Sequence, residues 1–121
     1  MPIYKQFDVV VVPFPFTDSN RTKKRPALVL SDRKSLTIDK SILTMIICEA
    51  VSFRTTSGHS PWSLDIAIED LESTGLRTQS IIRFKLFTLD NSLITKKIGL
   101  LSEVDRTAVV ANLKKVFNLR F

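Results

Sequence analysis

An α+β fold is predicted for this chain, a small antiparallel β-barrel of short strands followed by a single C-terminal helix. Three observations carry that prediction. Two apolar runs, Val9–Val12 and Ala27–Leu30, flank a short polar loop. Further short apolar segments follow, bounded by Ser, Thr, Gly and Pro. After Ser102 the apolar spacing changes to that of a helix. Short β-branched runs between turn residues read as buried strands, and such strands closed by one helix form a two-layer domain around one core.

The elements follow in order. Val9–Val12 and Ala27–Leu30 are the first two strands and Ile42–Cys48 the third. Ala50–Pro61, AVSFRTTSGHSP, has the composition of an exposed loop. Ser63–Ile68 alternates, with Leu64, Ile66 and Ile68 apolar and Asp65 polar, as in a strand with one face on the core. Glu69–Arg77 holds Gly75 and reads as a turn. Gln79–Arg83 and Phe84–Leu89 read as further strand with a bend near Lys85, and Ile94–Ile98 as a short last one. Ser102 with Asp105 three residues on forms an approximate capping box, the acid favoured by the positive end of the helix. Val109, Leu113 and Val116 recur at helical spacing, and Lys114, Lys115 and Arg120 sit where cations suit the helix end. Phe84, Phe87 and Phe117 are expected in the core.

Composition narrows the function. At 121 residues, 1–121 is expected to be one domain, able to bury roughly 65% of its unfolded surface. No apolar run approaches the ~20 residues of a membrane span, and MPIYKQFD lacks a signal peptide's apolar stretch. One cysteine excludes an intrachain disulfide and agrees with a reducing, cytoplasmic setting. One His and one Cys argue against a protein-only zinc site, and no nucleotide-binding fingerprint is present, so no cofactor is expected. The net charge of +6 points to acidic partners, nucleic acid or an acidic protein.

The loop between the first two strands ends in Arg21, Lys23, Lys24 and Arg25. Charge runs are commonly solvated faces, but these cations are anchored between strands, and Pro26 restricts the backbone of Arg25. A fixed positive edge suits a polyanion such as single-stranded RNA. Phe16 and Trp62, beside loops, are the candidate base stackers. His59, in a loop beside Gly58, is read as incidental.

The stretch DVVVVPFPFT, the polar loop and RPALVLS together resemble the opening of the MazF/PemK (Kid) toxins. The resemblance recurs at Gly75–Asp90, GLRTQSIIRFKLFTLD, and at Ile98–Leu119. It implies an SH3-like barrel with a C-terminal helix. It also implies a homodimeric, metal-independent endoribonuclease that cuts single-stranded RNA and is inhibited by an acidic cognate antitoxin. Arg25 then stands at the family's catalytic Arg-Pro position, and Arg83, after Ile81-Ile82, at its second functional Arg. Cys48 occupies the place of a family Thr, beside Glu49 as a candidate base, although a lone buried thiol is commonly just a small hydrophobe. Lys85 replaces an Asp of some relatives, which removes a proton acceptor and adds a cation. Arg21, Lys23, Lys24, Arg54 and Lys85 would hold the RNA backbone. The rival expectation is a non-catalytic toxin of the same fold, one that binds RNA or poisons DNA gyrase as CcdB-type toxins do.

Overall fold

A computed structural model describes residues 4–15, 22–31, 41–49 and 65–117. Strands β1 (Asp8–Pro15), β2 (Thr22–Val29) and β3 (Ser41–Glu49) carry the three apolar runs. A two-residue β4 (Ile66–Ala67), a one-turn helix α1 (Leu71–Thr74) and the long β5 (Ser80–Asp90) follow. A 3-10 turn at Asn91–Leu93 leads to β6 (Lys96–Leu100) and the terminal helix α2 (Glu103–Phe117). The strands form one antiparallel sheet in the order β4-β5-β3-β2-β1-β6.

The Val runs are continuous because the central strands are buried on both faces. One face carries Val9, Leu28, Met45, Ile47 and Ile82, and packs with Leu101 and with Val109 of α2. The other carries Val10, Val12, Ala27, Val29 and Ile42, and packs with Tyr4, Ile94 and Phe87. A strand with two covered faces has no solvated side to alternate with, so its pattern is a run.

The sheet does not close by hydrogen bonds, since β4 and β6 lie at its two edges. Instead α1, which follows β4, leans on β6. A Cβ on Gly99 of β6 would strike the backbone of Thr74 and Ser73, and one on Gly75 would strike the carbonyl of Ile98. Gly75 also ends α1 at φ 76°, a left-handed conformation that favours glycine. The two glycines thus let backbone meet backbone where a barrel would need another ladder, giving a barrel-like but open sheet.

Helix α2 is capped as its sequence predicts. The Ser102 hydroxyl accepts from the Asp105 N–H (3.4 Å) and donates to the Asp105 carboxylate (3.2 Å). That carboxylate also accepts from the backbone N–H groups of Glu69 (3.0 Å) and Asp70 (3.1 Å), tying α2 to the approach to α1.

Several expectations are corrected. Strand pairing in the Ser63–Ile68 segment is confined to Ile66–Ala67, with residues 63 and 64 outside the described set. The turn expected at Glu69–Arg77 contains α1, whose N-cap Asp70 accepts from the Ser73 N–H (3.2 Å). The last strand begins at Lys96 rather than Ile94, because Ile94 is buried against the second face before the ladder starts. Phe117, expected in the core, is 49% exposed, because it lies at the end of α2 beyond the part that covers the sheet. The bend near Lys85 is a break in register. Met45 pairs with Leu86 but the next residue, Ile46, pairs with Arg83, so Phe84 and Lys85 are extra on β5.

Candidate active site

The site is built at the end of the sheet where β2, β3 and β5 stop being regular. Arg25 pairs with Val12 and so shares the face of Val12 and Ala27. Ala27 pairs with Ile46, and Cys48 lies two residues beyond Ile46 on that same face. Across the other side of β3, Ile46 pairs with Arg83 and Cys48 with Ile81. Strand register therefore brings Arg25, Cys48 and Arg83, far apart along the chain, to one corner. The bulge adds Lys85, since an inserted pair of residues lets Phe84 pack on the core while Lys85 stays exposed.

Electrostatics report the same convergence. Burial pushes the Cys48 thiol above its ordinary range, and the cations of Arg83, Arg25 and Lys85 oppose that shift while the charge of Asp65 adds to it. Desolvation wins, so Cys48 carries its proton at neutral pH. In that form it is a weak hydrogen-bond donor and a poor base.

Asp65 is the member of this corner that sequence reading missed. Its carboxylate lies 3.7 Å from the Arg83 guanidinium, and its side chain is 4% exposed against 20% for Arg83. Ile66 pairs with Ile82, so one step further along the ladder Asp65 stands opposite Arg83. The signal was present as an acid in the alternating segment Ser63–Ile68, but alternation alone assigned it to the solvent side. At this distance the pair is an ion pair, which places a buried negative charge beside the guanidinium.

Lys24 is exposed on β2 beside Arg25, and the two line a cleft of about 420 Å³ with Pro26, Ile47, Leu76, Arg77, Thr78 and Ser80. Glu49 ends β3 opposite Ser80, and Lys23 lies on β2 opposite Phe14; both are placed here by register alone. Arg21, Arg54, Phe16 and Trp62, with His59, lie outside the described residues. Among the described residues no three of His, Cys, Asp and Glu cluster as metal ligands would, and no helix is long and apolar enough to cross a membrane.

The corner can do one kind of chemistry well. Two guanidinium groups, one of them paired with Asp65, and a lysine stand around a thiol at the mouth of a sheet, a net positive arrangement that can gather and stabilise negative charge.

Solved structures share the fold. A MazE–MazF complex from Deinococcus radiodurans superposes with a TM-score of 0.73 at 14% identity, covering 99% of this chain and 100% of that one. An endoribonuclease in complex with its cognate antitoxin from a mycobacterial species gives 0.72 at 12%, covering 100% and 99%. The Mycobacterium tuberculosis toxin MazF-mt6 gives 0.67 at 15%, covering 94% and 99%. No curated protein sequence matches this chain. The sequence profile of PemK-like, MazF-like toxins matches residues 5–117, nearly the whole chain. The chain therefore belongs to the PemK-like, MazF-like toxins of type II toxin–antitoxin systems.

Proposed function

We propose that the protein is an endoribonuclease toxin that cuts single-stranded RNA without a metal and is neutralised by an acidic cognate antitoxin. The observation that carries this reading is the meeting of Arg25 and Arg83 around Cys48, across three strands. Antitoxin partnering is supported by the solved relatives, which include toxin–antitoxin complexes. The net charge of +6 suits both RNA and an acidic antitoxin. The protein acts as a homodimer in the cytoplasm, with RNA laid across the dimer face.

In the proposed reaction the ribose 2′-hydroxyl attacks the adjacent phosphorus. Its proton passes to a base, the bond to the 5′-oxygen breaks, and that oxygen takes up a proton. The products are a 2′,3′-cyclic phosphate and a 5′-hydroxyl. Because the nucleophile is supplied by the substrate, the protein needs to position the strand and stabilise the added charge on the phosphorane. Arg25 and Arg83 do this, with Asp65 holding Arg83 in orientation. Cys48, protonated at neutral pH, orients a phosphate oxygen as a thiol donor. Glu49 remains the candidate proton acceptor.

The test is incubation of purified protein with single-stranded RNA in excess EDTA. Cleavage with cyclic-phosphate ends, abolished by Arg25→Ala, is the expected result. Intact RNA at high protein concentration would falsify the proposal. Toxicity retained by Arg25→Ala in growing cells would point instead to a target other than RNA, such as gyrase.

A further inference from the structure

Strand β2 is paired with β1 along its length, from Val9–Leu28 to Pro15–Thr22, but with β3 only from Ala27–Ile46 to Val29–Thr44. Pairing with β3 starts just after Pro26, whose ring nitrogen has no hydrogen to donate. Strand β3 itself continues to Glu49, held by β5 as far as Ser80. The two strands therefore part, and the gap between them is the cleft of about 420 Å³. Its far wall is the segment Leu76–Ser80.

That wall is built and held in place. Gly75 turns the chain into it, the Leu76 N–H donates to the Thr74 hydroxyl (3.2 Å), and Leu76 packs on the core. The Ser80 hydroxyl donates to the Thr78 carbonyl (2.9 Å), and the Gln79 amide to the Ile68 carbonyl (2.6 Å). Three cations stand around the opening: Lys24 and Arg77, both exposed, and Arg25, half-buried. Pro26, Ile47 and Leu76 supply an apolar lining, and among the described residues none that lines the cleft is acidic. A cationic rim over an apolar lining matches an anion that carries a flat apolar body. The volume falls within the roughly 300–1,000 Å³ of small-ligand sites.

We infer that this cleft is a nucleotide subsite, which seats the RNA residue next to the scissile bond, its base on Pro26 and Leu76 and its phosphate between Arg77 and Lys24. The inference rests on the proposed function for the identity of the strand. Arg25 joins the two places: its strand borders the cleft, and its side chain belongs to the face that carries Cys48 and Arg83. An RNA strand gripped at Arg25 is thus led into the cleft through the gap where β2 and β3 part. Unstacked bases of single strands are the parts a protein can seat and read, and Thr78 offers a hydroxyl to a base edge.

The test measures binding of a short, single-stranded 2′-O-methyl oligoribonucleotide of mixed sequence, which has no free 2′-hydroxyl and cannot be cut. Affinity is followed against salt for the wild-type chain, Arg77→Ala, Arg77→Glu and Lys115→Glu, the last making the same charge change on the exposed side of α2. Arg77→Ala is expected to weaken binding about tenfold. It should also lower the slope of log affinity against log salt by about 0.7, the loss of one phosphate contact on a single strand. Lys115→Glu should leave the slope unchanged. If Arg77→Glu and Lys115→Glu behave alike, or Arg77→Ala keeps the wild-type slope, the subsite is refuted while cleavage of ordinary RNA leaves the proposed function standing. If the slope falls with Arg77 but ordinary RNA stays intact, the cleft is a nucleotide site and the proposed chemistry is wrong.

Discussion

Asp105 and Asp65 are both buried carboxylates, Asp105 being 1% exposed and the Asp65 side chain 4%, yet their surroundings differ in kind. Asp105 accepts from the backbone of Glu69 and Asp70 and from Ser102, so its charge is spent on fixing the start of α2 against the approach to α1. Asp65 faces the guanidinium of Arg83, close to a half-buried thiol that also feels Arg25 and Lys85. The first arrangement relieves orphan backbone donors at a helix start and elsewhere. The second gathers three cations, one of them paired with Asp65, around a thiol, and such a concentration of charge is common at functional sites. The difference separates a carboxylate that holds the fold from one that faces the candidate site.

Substitutions can break or sharpen that contrast. The largest effect is expected for Arg25→Ala, which should lower the RNA cleavage rate by about 10²–10³ or more while leaving the melting temperature near that of the wild type. Asp105→Ala should do the reverse. Loss of its hydrogen bonds, each made by a charged acceptor, should cost about 2–3 kcal/mol in denaturant unfolding, with cleavage per folded molecule unchanged. A loss of catalysis with full stability in that variant would erase the distinction between the two aspartates. Asp65→Asn keeps the shape and removes the charge beside Arg83. A fall of about tenfold in kcat, with KM nearly constant and little change in stability, is the expected outcome. An equal rise in KM alone would assign Asp65 to RNA binding rather than to the orientation of Arg83.

The smallest effect concerns Cys48. Because burial raises its pKa on folding, the native state holds the thiol proton more tightly than the unfolded chain. Its contribution to stability is complete below the ordinary thiol pKa and is lost as pH rises through the higher folded value. Stability should therefore decline in the alkaline range, and Cys48→Ser should flatten that decline. Alkylation of the native protein by iodoacetamide should need a higher pH than alkylation of the unfolded chain.

Much of the frame was legible in the residues. The runs at Val9–Val12 and Ala27–Leu30 announced strands because both of their faces are covered, and Ser102 with Asp105 announced a helix because the Ser102 hydroxyl accepts from one of its first backbone N–H groups. The bend near Lys85 showed as a cation interrupting an apolar strand, and it proved to be the break in register on β5. The meeting of Asp65 with Arg83 was not legible, since alternation says which residues share a face but not what lies across the ladder. Phe117 was misread for a related reason: helical spacing shows that a residue continues a stripe, not how far the sheet beneath it extends.

By itself, the chain's sequence determined which segments extend, where the last helix starts, that the charge is positive, and which family's pattern it follows. Those properties are local or cumulative, written in neighbours a few residues apart. Tertiary structure alone decided that β2 joins β3 only after Pro26, that Asp65 stands opposite Arg83, and that Arg77 faces Lys24 across a cleft. Each of these depends on the register between strands distant in sequence, and register is set by how the two apolar faces pack as a whole.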